Sequence, residues 1–475
     1  MKTHFPFMRT LALSLVLLLT AISSAATLQW GGSGTWDADI SANWSDGSTA
    51  AKWPAPGGLD DDAAFAGTAG LVSIASGGVT ANDLAFNTNG YEVRNQTLTL
   101  NGTTPTITTA AAVAAEISSS IAGTSGLTKT GLGSTGVLTL AGANTFSGNV
   151  NLNSGVIRIT QNNSFGTIAK TINLNGGGGI AAGLGVFLDP GEGGSITLPS
   201  AISFSTASNS YAGIRNKSGT NRIQGTISLK TGLASTVVAS DAGTLTVSGG
   251  ITAASSGRTL YLTGSSTAAN TISGVISNGS GLSLLKTDPG TWNLSAANTY
   301  SGTTTINSGK LIGVTGGACA NSAVSLAATT GNTAVLGVSV TDKTKQWTCA
   351  SLFVNNAGTA SNLEFNFGTI TPSTTLAPLK ITGTLDFTTA PNLAIIADSN
   401  LGPVGTKFPL ITWGSVAGTI PTSFSIATSN PTTAHLEVTG NTLYLVIDDY
   451  TPTRSDSQLF SALNLDYPGL EAVKA

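Results

Sequence analysis

The chain has 475 residues and a formal net charge of −3, and charged residues make up only 9% of it, against about 25% in ordinary globular chains. That balance excludes a basic nucleic-acid binder and an acidic tail. Glycine reaches 59 residues and the apolar share is 40%, too apolar for a disordered chain and too poor in exposed helix formers for a helical one, so the composition reads as packed and β-rich.

The chain order begins with export. Lys2, His4 and Arg9 precede an apolar run over residues 11–19, and Ser24, Ala25 and Ala26 place small side chains at a cleavage point, the pattern of a secretory signal peptide over residues 1–26. The run is shorter than the roughly 20 residues that cross a bilayer. No membrane span is expected after signal removal, and the chain is expected to be secreted or at the cell surface. Removal also takes His4 and leaves His435 as the sole histidine. A His-based zinc site and a multi-His cluster are thereby excluded, and neither a metal nor a cofactor is expected. His435, in TAHLEVTG, reads as a strand residue, with a catalytic base as the alternative.

Residues 27–70 concentrate four of the seven tryptophans, Trp30, Trp36, Trp44 and Trp53, among Gly, Ser and Asn. They read as a cap that closes the open end of a stack of strands, and alternatively as a carbohydrate-stacking platform. Asn43-Trp44-Ser45 has the form of a glycosylation acceptor and reads as coincidence. Asp60, Asp61 and Asp62 lack the spacing of a Ca²⁺ loop and read as turn and cap residues.

From Leu71 to about residue 450 the pattern is uniform: LVSIASG, YEVRNQTLTLNG, VLTLAG, KTINLNG, GTLTVSGGI and NTLYLVID alternate apolar and polar residues between Gly, Asn, Ser and Thr. Each predicts a short strand. Only TTAAAVAAEISSSI, residues 108–121, carries a helix-like stripe, and its Ala-rich composition is a weak signal.

Within this region one unit recurs. Residues 126–159 read GLTKTGLGSTGVLTLAGANTFSGNVNLNSGVIRI and residues 281–312 read GLSLLKTDPGTWNLSAANTYSGTTTINSGKLI. Leu138 and Leu140, matched by Trp292 and Leu294, place apolar side chains on one strand face. Phe146 or Tyr300 anchors the turn against the same interior, Leu152 and Ile306 begin the next inward face, and Gly148 and Gly302 are expected to supply backbone geometry closed to other residues. One such unit cannot bury its own apolar side; a stack of them can.

The remaining chemistry is sparse. Cys319 and Cys349, in a chain that matures outside the cytosol, are expected to form a disulfide closing a loop of about 30 residues, with a pair of buried thiols as the alternative. Asp189 and Glu192 sit in a Pro-Gly turn, and Asp448 and Asp449 close the last strand, so neither pair is read as a glycosidase dyad. The glycine run at 176–179 lacks the Lys and Ser/Thr of a phosphate loop.

The units GLTKTG…ANTFSG…NSG and GLSLLKTDPG…ANTYSG…NSG resemble the autotransporter-associated β-strand repeat of bacterial secreted and surface proteins. The Trp-rich start through DDDAAF and VTANDLAFNTNGY resembles the N-terminal part of such proteins. The resemblance implies an all-β, right-handed parallel β-helix passenger, with about 20 to 25 residues per rung and a rod of about 80 to 100 Å. The expected function is a non-catalytic, adhesin-like stalk or accessory scaffold that meets extracellular polysaccharide or cell-surface components, without nucleic acid. Two alternatives stand beside it, a carbohydrate-binding β-helix and the front end of a polysaccharide lyase. The second comes from the tail NLDYPGLEAVKA in residues 451–475, which resembles the entry to the helical domain of heparinase- and alginate-lyase-type enzymes.

Overall fold

The computed structural model describes residues 27–448, apart from segments at 54–60, 132–134, 177–184, 207–212, 231–234, 279–280, 356–360, 389–390, 398–400, 421–423 and 429–432. The signal-peptide reading of residues 1–26, and the lyase-like tail, lie outside the described residues.

Every regular element among the described residues is a strand. The reason is visible in single segments. Thr244–Val247 turns Leu245 and Val247 inward and its two threonines outward, and Lys170–Leu174 does the same over five residues, so the period of two in the sequence becomes a buried and a solvated side. The Ala-rich stretch follows suit. Ala114–Ile117 is a strand paired in parallel with Glu92–Asn95 and with Val137–Leu140, because ladder bonds to neighbours on both sides outweigh a weak local helix preference.

The strands build a three-faced parallel solenoid. On the first face Thr27–Trp30, Asp62–Phe65, Leu84–Phe86, Thr106–Thr109 and Leu127–Thr130 lie side by side, and the series continues to Ile276–Asn278. The second face starts at Gly34–Trp36 and Leu71–Ile74. A third begins with Val79–Ala81, Leu98–Leu100 and Ile121–Ala122 and resumes from Thr197–Leu198 onward. Further along, the first two faces merge: Ala318–Ala327 pairs with both Ala297–Asn298 and Thr304–Ile306.

Each circuit of the chain returns to the same face one level up. Leu127 pairs with Val150 on the next turn and Trp347 with Leu379, so turns lengthen toward the C-terminus. At about 4.8 Å per level the second face, from Gly34–Trp36 to Ser415–Gly418, is on the order of 70 Å long. That is shorter than a uniform short rung would give, because the later turns spend more residues per level.

One continuous core runs along the axis, from Trp36 through Leu138, Ile214 and Trp292 to Leu445. At each end of the stack one face is bordered by antiparallel strands. Trp44–Ser45 runs against Thr27–Trp30, and Ala50–Ala51 against Trp44–Ser45; at the far end Thr442–Ile447 runs against Lys407–Thr412 and Ala434–Thr439 against that. Reversing direction at an end blunts a template that would otherwise accept another parallel strand.

Candidate functional site: the repeat corners and a groove on the third face

The chemically distinctive residues of the two repeats point inward. Lys129 is fully buried, and its Nζ donates to the carbonyls of Thr130 at 2.7 Å and Ser154 at 3.4 Å. Lys286 is equally buried and donates to Thr287 at 2.6 Å, Asp288 at 2.6 Å and Ser308 at 3.0 Å. Burial pushes both ammonium groups down to about 8, since removing a charge from water favours its neutral form. Each therefore clamps its own strand end to the Asn-Ser-Gly turn one level up.

An asparagine does the same at the next corner. Asn144 Oδ1 accepts from Ile121 N at 2.7 Å while its Nδ2 donates to Ser164 O at 2.5 Å. Asn298 Oδ1 accepts from Ile276 N at 2.8 Å while its Nδ2 donates to Ala318 O at 3.0 Å. A buried amide thus bonds the level below and the level above at once, satisfying backbone groups that no strand reaches. Asn221 and Asn270, outside the repeats, bond Ile196 N and Leu245 N in the same way.

The glycine reading is corrected. Gly148 and Gly302 do not adopt positive φ; a Cβ there would meet Gly126 N and Leu282 O, each at 2.3 Å, so what they permit is close approach of two levels. The left-handed positions are Gly155 and Gly309 of the Asn-Ser-Gly turns, at φ 73° and 70°. Phe146 and Tyr300 are buried as anchors, and Tyr300 Oη lies 2.7 Å from Thr304 Oγ1.

The repeats occupy different faces. Leu127–Thr130 belongs to the first face, whereas Ser283–Lys286 belongs to the second, and each later strand of the second copy is likewise displaced by one face. The corner chemistry is kept while the unit rotates about the axis.

The tryptophan platform is overturned. Trp30, Trp36, Trp44 and Trp53 are 3%, 0%, 2% and 2% exposed, and they pack edge-on and tilted around Trp44, with ring centroids 4.6 to 5.0 Å apart. Aromatic faces spent on one another offer nothing to a sugar ring. The expected disulfide is also absent from the structure. Cys319 and Cys349 are buried free thiols directly opposite each other on neighbouring parallel strands, where they fill the interior as small apolar groups.

His435 lies in the strand Ala434–Thr439, exposed, with Nδ1 2.6 Å from Asp448 Oδ1. Asp62 accepts from Asn82 Nδ2 and Asp83 N, and Asp189 pairs with Arg158 at 2.7 Å, turn and corner roles in both cases. Asn43 Nδ2 donates to Thr35 O. Asp60, Asp449 and most of the glycine run at 176–179 lie outside the described residues.

Sequence reasoning missed one surface feature. On the third face Lys310 Nζ and Glu364 Oε2 meet at 2.7 Å across an intervening strand. They border a groove of about 500 Å³ that also takes in Asn293, Ile312 and Asn366. Beyond Lys310 a second hollow of about 520 Å³ is lined by Ser308, Asn332 and Thr333. Lys310 and Glu364 belong to strands two levels apart, so no local spacing announces the pair.

The profile of the passenger-associated transport repeat matches residues 127–159 and 284–312, the two units whose corners are described above. The adhesin BmaC autotransporter of Brucella suis biovar 1 (strain 1330) is 35% identical over an alignment of 240 residues, which covers 44% of this chain and 7% of that protein. The chain thus matches a small fraction of that relative's length.

Proposed function

We propose that this chain, two units of which match the passenger-associated transport repeat, is a non-catalytic scaffold presented outside the cell, an adhesin-like shaft whose long faces carry contacts to surface components or extracellular polymers. The observation that supports this reading most directly is the inward spending of chemistry. The buried lysines and asparagines of both repeats bond backbone groups of adjacent levels, which builds length and stiffness and leaves their reactive atoms away from solvent. The similarity to a protein named as an adhesin agrees with it. Secretion or surface exposure accords with the same relationship.

The test is to express the full chain in a bacterial host and treat intact cells with protease. Digestion of the chain on intact cells supports presentation, and protection until lysis overturns it. Negative-stain images of purified protein should show rods; compact globules would sink the scaffold. Incubation with uronate polymers should give no sustained double-bond absorbance, and its appearance would overturn the non-catalytic reading.

A further inference from the structure

We propose that the groove on the third face beside Lys310 and Glu364 binds a neutral oligosaccharide. This rests on the presentation reading above and names the ligand class that the groove would take.

Next to the groove, the strand that runs between Lys310 and Glu364 carries a glycine beneath the ion pair. Gly337 sits between Ile312 and Glu364 in the ladder, and its φ is not positive, so the backbone conformation does not demand glycine there. A Cβ would stand 3.1 Å from Ile312 Cγ1 and 3.8 Å from Glu364 Oε1. Any side chain at this position would fill the space under the ion pair. Glycine leaves this stretch of strand beside the groove without a side chain, and a larger residue would press on Ile312 and Glu364, which line it.

The surrounding chemistry selects the ligand. Gly309–Val314, Ala334–Ser339 and Ser361–Gly368 are each paired on both edges, so an extended peptide cannot add itself as a strand and recognition falls to side chains. Those side chains are amides, hydroxyls and one ion pair over an aliphatic patch at Ile312. Asn366 Oδ1 accepts from Gly368 N at 2.9 Å, and the Asn366 amide N–H groups make no bond among the described residues. Lys310 and Glu364 neutralise each other, which disfavours a polyanion and offers a donor and an acceptor side by side to neighbouring sugar hydroxyls. The lining contains no aromatic ring, so binding is by hydrogen bonding and not by stacking. The second hollow past Lys310 gives a chain of sugars room to continue.

The experiment is calorimetric titration of the full chain with neutral linear hexasaccharides of glucose, mannose, galactose and N-acetylglucosamine, and with hexagalacturonate as the charged counterpart. At least one neutral probe should bind, and Gly337→Val should weaken it at least tenfold without moving the thermal melt. If that variant lowers the melt, Asn293→Ala with Asn366→Ala decides: a tenfold loss supports the site and unchanged affinity overturns it. Binding of no neutral probe, preference for hexagalacturonate, or indifference to Gly337→Val also overturns it. The scaffold reading fails separately, through globular particles or protection from protease on intact cells.

Discussion

Lys129 and Lys286 stand on different faces of the solenoid and grip the equivalent carbonyl in their repeats, Ser154 O at 3.4 Å and Ser308 O at 3.0 Å. The equivalence explains how the unit can recur after rotating by one face. Its bonds run to the next level of backbone, which every face provides, and not to any side chain particular to one face.

The buried ammonium of Lys286 makes stability depend on pH. Its folded-state value lies near 8, below the ordinary 10.5, so the folded protein releases this proton first. Below pH 8 both states hold it and the fold bears the whole burial cost. Between about 8 and 10.5 the unfolded chain binds more protons, and stability rises with pH. Urea unfolding from pH 7 to 10.5 should show wild type gaining on Lys286→Met by about 1 to 3 kcal/mol, at roughly 1.4 kcal/mol for each pH unit that separates the folded and unfolded values. A gap that stays constant across that range would contradict the assignment.

Much of this architecture is legible in the chain itself. The alternation in GTLTVSGG or KTINLNG sets which side chains are inward, and the two ANT(F/Y)SG copies set where turns fall. What stays hidden follows from long-range pairing. The cluster of Trp30, Trp36, Trp44 and Trp53 is spaced by turns, so spacing alone leaves open whether the rings face each other or the solvent. The Lys310–Glu364 bridge joins strands from separate turns, and the role of Gly337 is defined by atoms above and below it. Lys129 in GLTKTG looks like a solvated charge, because a lysine is seldom fully buried without a carboxylate.

The tryptophan cluster makes a local prediction. Trp44 contacts the rings of Trp30, Trp36, Trp53 and Phe65, so Trp44→Ala should cost about 3 to 5 kcal/mol by cavity formation. In a stack where each level touches only its neighbours, the loss should appear as fraying of one end. Amide hydrogen exchange should accelerate in Thr27–Trp36 while Thr244–Val247 keeps its protection. Uniform acceleration along the chain would argue against a local role.

The paired cysteines predict a reactivity pattern. Burial pushes the Cys349 thiol up to about 12 and raises Cys319 well above its ordinary range, so neither supplies thiolate at neutral pH. Native protein prepared without reductant should resist iodoacetamide, and denatured protein should take up two adducts by mass spectrometry. Recovery of an unalkylated, cross-linked peptide pair would show that the interior accommodates a disulfide instead.

The asparagine corners give the sharpest stability test, because one side chain satisfies groups on two levels. Asn298→Ala would leave Ile276 N without its acceptor and Ala318 O without its donor. Both sit where water has poor access, since Asn298 is 3% exposed. An unsatisfied buried group costs about 1 to 3 kcal/mol, so the variant should lose about 2 to 4 kcal/mol in urea unfolding, and Asn144→Ala should lose a similar amount for the same reason. Asn298→Asp separates the two bonds. Its carboxylate still accepts from Ile276 N but, when ionised, has no proton for Ala318 O, so its deficit should shrink as the pH falls and the acid becomes a donor. Asn87 is exposed, and Asn87→Ala should stay within about 0.5 kcal/mol of wild type. If Asn298→Ala matched that control, the level-to-level bond would carry no stability and the repeat's asparagine would need another explanation.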